Sequence, residues 1–224
     1  MKGVGACRSD MSRRQRDRTD ARVNCGTKAV PPEIFSRLKQ LADKIPRPSF
    51  LGVPAEDKDP TAPTWPILSG DRVINISQNR ELLLELQELA RHMTNSSARI
   101  IDGSGEGEFG KHRYKNADFF PLLIEKVATA RTRDHVDYDS QEVKVTTPIY
   151  TLYVVLEAAS PVQFSLKLEE WTKHRLNVGE ALFFPSHKLH NVKQAPASSK
   201  RDKKSPHRVA IICHFSTTKH RSYI

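Results

Sequence analysis

The stretch Gly179-Glu-Ala-Leu-Phe-Phe-Pro185-Ser-His-Lys-Leu-His190-Asn191 decides how the second half of this chain is read. A glycine turn opens it, a short apolar run follows, a proline stops that run, and a histidine stands where the next begins. Apolar runs this short, bounded by Gly and Pro, read as strands rather than helices. On either side lie further β-prone runs at Val143-Lys-Val145, Pro148–Leu156, Val162–Leu168, Ala181–Phe184, His190–Val192 and Val209–Phe215. Ser160-Pro161 and Asn177-Val178-Gly179 separate them as turns. Several short strands at this spacing predict a sandwich or barrel.

The first half has a different texture. Pro31-Pro32 can open a helix reaching about Lys44, because Ile34, Phe35, Leu38 and Leu41 recur at helical spacing. Arg72–Ile76 alternates as a strand. Ser77 or Asn79 can then cap a helix running to about Met93, with Leu82, Leu83, Leu86, Leu89 and Ala90 as its buried stripe. Residues 118–130 read as a further helix with Pro121 in its first turn. Gly103-Ser-Gly-Glu-Gly-Glu-Phe-Gly110 lacks the Gly-Lys-Ser/Thr ending of a phosphate loop and carries two glutamates, so it reads as a flexible turn. Helices followed by a run of strands predict an α+β, mainly β fold with N-terminal helices supporting a double-sheet core.

Charge and composition bound the organisation. The chain has 224 residues and a formal charge of +10. Residues 1–30 carry eight Lys/Arg against three Asp, and residues 193–224 carry eight against Asp202 alone, so residues 31–192 are nearly neutral. Residues 1–30 are expected to be a disordered basic tail. Residues 31–66, with six prolines after position 45, form a short helix and a linker, and residues 67–224 hold the β domain with its buttressing helices. Three cysteines with no C-x-x-C pair argue against a disulfide scaffold. No apolar stretch approaches a membrane span and no apolar signal core opens the chain, so an intracellular protein, cytoplasmic or nuclear, is expected.

Chemistry concentrates at His135-Val-Asp137, His190 and Arg208. Two imidazoles and a carboxylate can occupy one face of a ferrous ion and leave its other positions open. One residue between His135 and Asp137 turns both side chains to the same side of an extended segment. An always-charged, forked arginine suits the far carboxylate of an organic acid. His187, three residues before His190, is an alternative ligand, though strand alternation points it to the other side.

These positions resemble the double-stranded β-helix (jelly roll) of the cupin and 2-oxoglutarate/Fe(II)-dependent dioxygenase superfamily over about residues 133–216. His135-Val-Asp137 matches that family's His-x-Asp, His190 its distal histidine and Arg208 its co-substrate arginine, and Gly179–His190 is similar to the second cupin motif. The resemblance implies metal ligands His135, Asp137 and His190, the cofactors Fe(II) and 2-oxoglutarate, and hydroxylation of a protein or small-molecule substrate. Two residues after Arg208 stands Ala210, which has no hydroxyl, so a second hold on the acid falls to Tyr150 or Tyr153. Tyr153 is favoured because it shares a face with Thr151 and Val155.

The residues admit other readings. The basic run Lys200-Arg-Asp-Lys-Lys204 points to an acidic or nucleic-acid substrate, as in the AlkB-like branch. That branch carries a second arginine where this chain has Ile211-Ile-Cys-His214, which favours a protein or small molecule. A cupin-type metalloprotein that uses no keto acid would take Glu142 as a fourth ligand. A non-enzymatic jelly-roll binding module with basic tails would need no metal.

Overall fold

A computed structural model describes residues 25–46, 72–101, 121–126, 134–137, 149–194 and 208–217. Its larger sheet has seven strands among the described residues. In spatial order they are β1 (Gly26–Ala29), β8 (Glu180–Pro185), β5 (Ile149–Ala158), β10 (Arg208–Thr217), β4 (Leu122–Lys126) and β2 (Arg72–Asn75), with β3 (Ala98–Ile101) also paired to β10. A smaller sheet orders β7 (Trp171–Leu176), β6 (Val162–Lys167) and β9 (His190–Gln194). Every pairing is antiparallel. The result is the mainly β jelly roll with supporting helices that the sequence predicts.

Two helices cover one face of the larger sheet. Helix α1 (Pro32–Asp43) starts on a proline, whose missing N–H costs nothing in a first turn. Helix α2 (Arg80–Thr94) is capped by Asn79, whose side chain accepts from the Leu82 N–H at 3.1 Å. It ends on Asn95 in the left-handed region at φ 51°. Lys28 of β1 donates its Nζ to the Met93 carbonyl at 2.8 Å, satisfying one of the acceptors that a helix end leaves open. The buried stripes Ile34, Leu38 and Ala42 of α1 and Leu82, Leu86, Leu89, Ala90 and Met93 of α2 join one core with Leu152, Val154, Ile211 and Phe215 of the sheet.

A second apolar cluster fills the space between the two sheets. It contains Tyr153, Val155, Phe164, Leu166, Leu182, Phe184, Val192 and Ala210. Strand β5 lies between β8 and β10 and is buried on both faces, which is why Ile149-Tyr-Thr-Leu-Tyr-Val-Val-Leu156 reads as a nearly unbroken apolar run.

The sequence expectation fails in four places. The helix expected over 118–130 is strand β4 where it is described. Leu122, Leu123 and Ile124 form a three-residue apolar run that both β10 and β2 can pair, and helical spacing cannot distinguish such a run from a strand. The basic tail ends earlier than position 30, because β1 pairs with β8 and Val30 is buried. Helix α1 is not a separate N-terminal piece, since it shares the core of α2 and the sheet. Strand β7, Trp171-Thr-Lys-His-Arg-Leu176, goes unread in the sequence because its outward positions are charged or exposed and only Leu176 is fully buried. Val143–Val145, Glu142, Gly103–Gly110 and Lys200–Lys204 lie outside the described residues.

Candidate metal centre

Residues 134–137 run antiparallel alongside β9 and add a short fourth rung to the smaller sheet. His135 and His190 exchange both backbone hydrogen bonds, at 3.0 and 2.9 Å, so their side chains emerge side by side with ring centroids 4.2 Å apart. The Asp137 N–H then donates to the Ser186 carbonyl at 3.1 Å, which fixes Asp137 across the turn between β8 and β9. The alternation of the His-x-Asp segment therefore turns 135 and 137 to one side.

Donor atoms of His135, Asp137 and His190 all lie within 4.8 Å of one another. His190 Nε2 lies 3.7 Å from Asp137 Oδ1. Neighbouring donors around a metal at about 2.1 Å stand about 3 Å apart, so a small inward movement would suffice. The cluster contains His190 and not His187, which sits in the β8–β9 turn.

His190 is held as a ligand needs to be held. Its Nδ1 donates to the Lys188 carbonyl at 2.9 Å, since a carbonyl only accepts, and this leaves the Nε2 lone pair toward Asp137. Phe164 stacks on the ring at 5.4 Å and Phe184 meets it edge-on at 4.7 Å. Burial pushes the His190 imidazole below its ordinary range, against the opposing pull of Asp137. The neutral form, the one that ligates, is favoured.

Asp137 has three further neighbours. The Thr151 hydroxyl donates to Oδ2, and Ser186 Oγ lies 2.8 Å from Thr151 Oγ1. His214 Nε2 lies 3.3 Å from the same Oδ2. Burial pushes the Asp137 carboxyl upward, but His190, His214 and Thr151 together more than reverse this and hold it well below the usual carboxylate range. His214, Thr151 and Ser186 are absent from the sequence expectation for the site. A signal for His214 existed: it stands an even number of residues from Arg208 on a strand and so shares that residue's face.

Arg208 opens β10 on the face that Ala210 presents to the space between the sheets, and it is 2% exposed. Its Nε and Nη1 meet no hydrogen-bond partner among the described residues. Buried guanidinium nitrogens left unsatisfied are costly, and an acidic ligand would offset that cost. Tyr153 also faces this space, edge-on to Phe164 at 5.6 Å, whereas Tyr150 faces the helix side and stacks on Phe215 at 5.4 Å.

No protein-family model and no curated protein sequence matches this chain. Solved structures do match it. An oxidoreductase of the 2OG-Fe(II) oxygenase family from Burkholderia pseudomallei aligns over 97% of this chain and 98% of its own, with a TM-score of 0.50 and 12% identity. The chain has the fold of a 2OG-Fe(II) oxygenase. A prolyl-4-hydroxylase from Pseudomonas putida aligns over 89% of this chain and 95% of its own, with a TM-score of 0.49 and 15% identity. AviO1 from Streptomyces viridochromogenes aligns over 87% and 90%, with a TM-score of 0.49 and 12% identity. Among the described residues no helix is long and apolar enough to cross a membrane.

Proposed function

We propose that this protein is a non-haem Fe(II)- and 2-oxoglutarate-dependent dioxygenase that hydroxylates a protein or small-molecule substrate. His135, Asp137 and His190 would hold the iron. Arg208 would grip the far carboxylate of the keto acid, with Tyr153 beside it. The observation that carries the reading is the Arg208 guanidinium, buried with two nitrogens that lack a hydrogen-bond partner among the described residues, on the same face of β10 as His214, which approaches Asp137. A metal site alone would give no reason for it.

When bound, iron with the keto acid and dioxygen would supply the oxidising power for inserting one oxygen atom into a C–H bond. The protein's own residues do the rest. His190 presents a fixed, neutral Nε2 because Lys188 holds its other nitrogen. Asp137 stays ionised near neutral pH, so it offers negative charge to a cation without first losing a proton. Phe164, Phe184 and Leu182 line the space with apolar surface and exclude bulk water from the reacting centre. A protein or small-molecule substrate is favoured over nucleic acid because Ile211-Ile-Cys-His214 contributes no second arginine to the site.

The test is succinate release from 2-oxoglutarate by the full chain supplied with Fe(II) under air, alongside metal analysis and a keto-acid titration in the visible charge-transfer region. Succinate formation that requires both iron and Arg208 supports the proposal. Metal uptake without keto-acid binding would instead assign a cupin-type metalloprotein. Absence of any metal uptake would leave a non-enzymatic jelly-roll module.

A further inference from the structure

His214 is a buried histidine that the proposed metal set does not use. It faces the barrel from β10, and its Nε2 approaches Asp137 Oδ2 to 3.3 Å. Thr151 donates its hydroxyl proton to the same oxygen. That proton is the only one Thr151 has, so Ser186 Oγ–H must be the donor in its 2.8 Å contact with Thr151. A carboxylate oxygen only accepts, so the His214 proton facing it belongs on Nε2. The 3.3 Å contact is close without being a well-aligned hydrogen bond, and both residues are shielded from solvent. Both donors converge on Oδ2, whereas Oδ1 is the oxygen 3.7 Å from His190 Nε2. The two carboxylate oxygens are thus held in different environments.

We propose that His214, acting with Thr151, is a positioning residue that restricts Asp137 to one-oxygen metal binding. Oδ2 is kept occupied, Oδ1 is presented to the cation, and the coordination position that a two-oxygen carboxylate would take stays open for exchangeable ligands. This rests on the metal reading of His135, Asp137 and His190.

The experiment uses the full chain with Co(II) alone as probe, measuring the dissociation constant and the infrared carboxylate splitting on binding. One-oxygen binding gives a wide splitting and two-oxygen binding a narrow one. In His214→Leu the dissociation constant is expected to rise about 10- to 100-fold and the splitting to narrow. His214→Gln, which restores an N–H at similar reach, should recover most of the affinity and the wide splitting. Thr151→Val is expected to narrow the splitting as well, with the melting temperature of each metal-free variant serving as the folding control. If His214→Leu and Thr151→Val keep wild-type affinity and splitting, the positioning role is wrong while the metal site stands. If the Leu and Gln variants lose affinity alike with the splitting unchanged, His214 only fills space and the proposal also fails. If the wild-type chain takes up no cobalt, the metal reading falls and the positioning role falls with it.

Discussion

The two faces of the larger sheet are built from the same strands and serve opposite ends. On the helix side, β5 and β10 present Tyr150, Leu152, Val154, Leu156, Val209, Ile211, Cys213 and Phe215 to α1 and α2, and nearly every contact is apolar. On the barrel side the same strands present Thr151, Tyr153, Val155, Arg208, Ala210 and His214. Both sides are equally dry, yet one buries hydrocarbon and the other buries charge. The helix side gains free energy from every side chain it covers. The barrel side accepts the buried Arg208 guanidinium and the largely buried Asp137 carboxylate, whose desolvation is costly unless partners offset it. Strand alternation thus separates apolar burial from polar burial by a single residue.

The largest effect that would sharpen this contrast is expected from Asp137→Ala. Succinate formation should be abolished and iron content should fall to background, with some metal-free stability lost because the ionised carboxyl held by Thr151 and His214 is gone. Iron content that stays at the wild-type level would remove Asp137 from the site. The reverse result is expected from Leu86→Ala in the fully buried stripe of α2. Chemical denaturation should show about 2–5 kcal/mol of lost stability, with turnover per folded molecule unchanged. Arg208→Met keeps the apolar stem and removes the charge. Affinity for 2-oxoglutarate should fall at least about 30-fold, in line with truncating one partner of a buried charge pair. Metal-free stability should hold or rise, because a buried charge with two unsatisfied nitrogens is gone. A loss of stability without a loss of keto-acid affinity would remove Arg208 from the site.

The smallest effect concerns pH. The His190 imidazole is pushed below its ordinary value of 6.5 on folding. The unfolded chain therefore binds a proton in a range where the folded chain refuses it, and this contribution to stability is fully present above pH 6.5 and is lost as pH falls below it. One group can contribute at most about 1.4 kcal/mol per pH unit. Denaturation curves of the metal-free protein between pH 7.5 and 5.5 should show this slope, and His190→Gln should flatten it. Asp137, whose carboxyl is held below the ordinary 3.8, adds stability that is lost only in stronger acid.

Much of the fold was legible because its signals are local. Asn79 before a leucine stripe gave α2, Pro31-Pro32 gave the start of α1, and Gly179, at φ 81°, marked the turn into β8. The strands that were missed or misread carry no such signal. β4 holds one apolar triplet, β1 is mostly exposed, and β7 keeps its charges outward, so each is a strand because a neighbour pairs it. Residues 135, 137, 190 and 208 could be singled out as a candidate set by type and spacing alone. Their partners could not be, because Thr151, Ser186 and His214 meet around Asp137 through side-chain contacts between segments distant in sequence, and the Lys188 carbonyl reaches His190 only through the folded turn before β9.

The sequence by itself determined the alternation of its strands, the stripes of its helices and the kinds of side chain available to a metal and an acid. These follow from the chemistry and period of each residue, which need no partner. Only the tertiary structure decided that His135 lies against His190, that Oδ2 of Asp137 is occupied while Oδ1 faces the imidazole, and that Arg208 is buried with nitrogens unsatisfied. Distance between strands and exclusion of water arise when the chain closes on itself, and no local pattern specifies them.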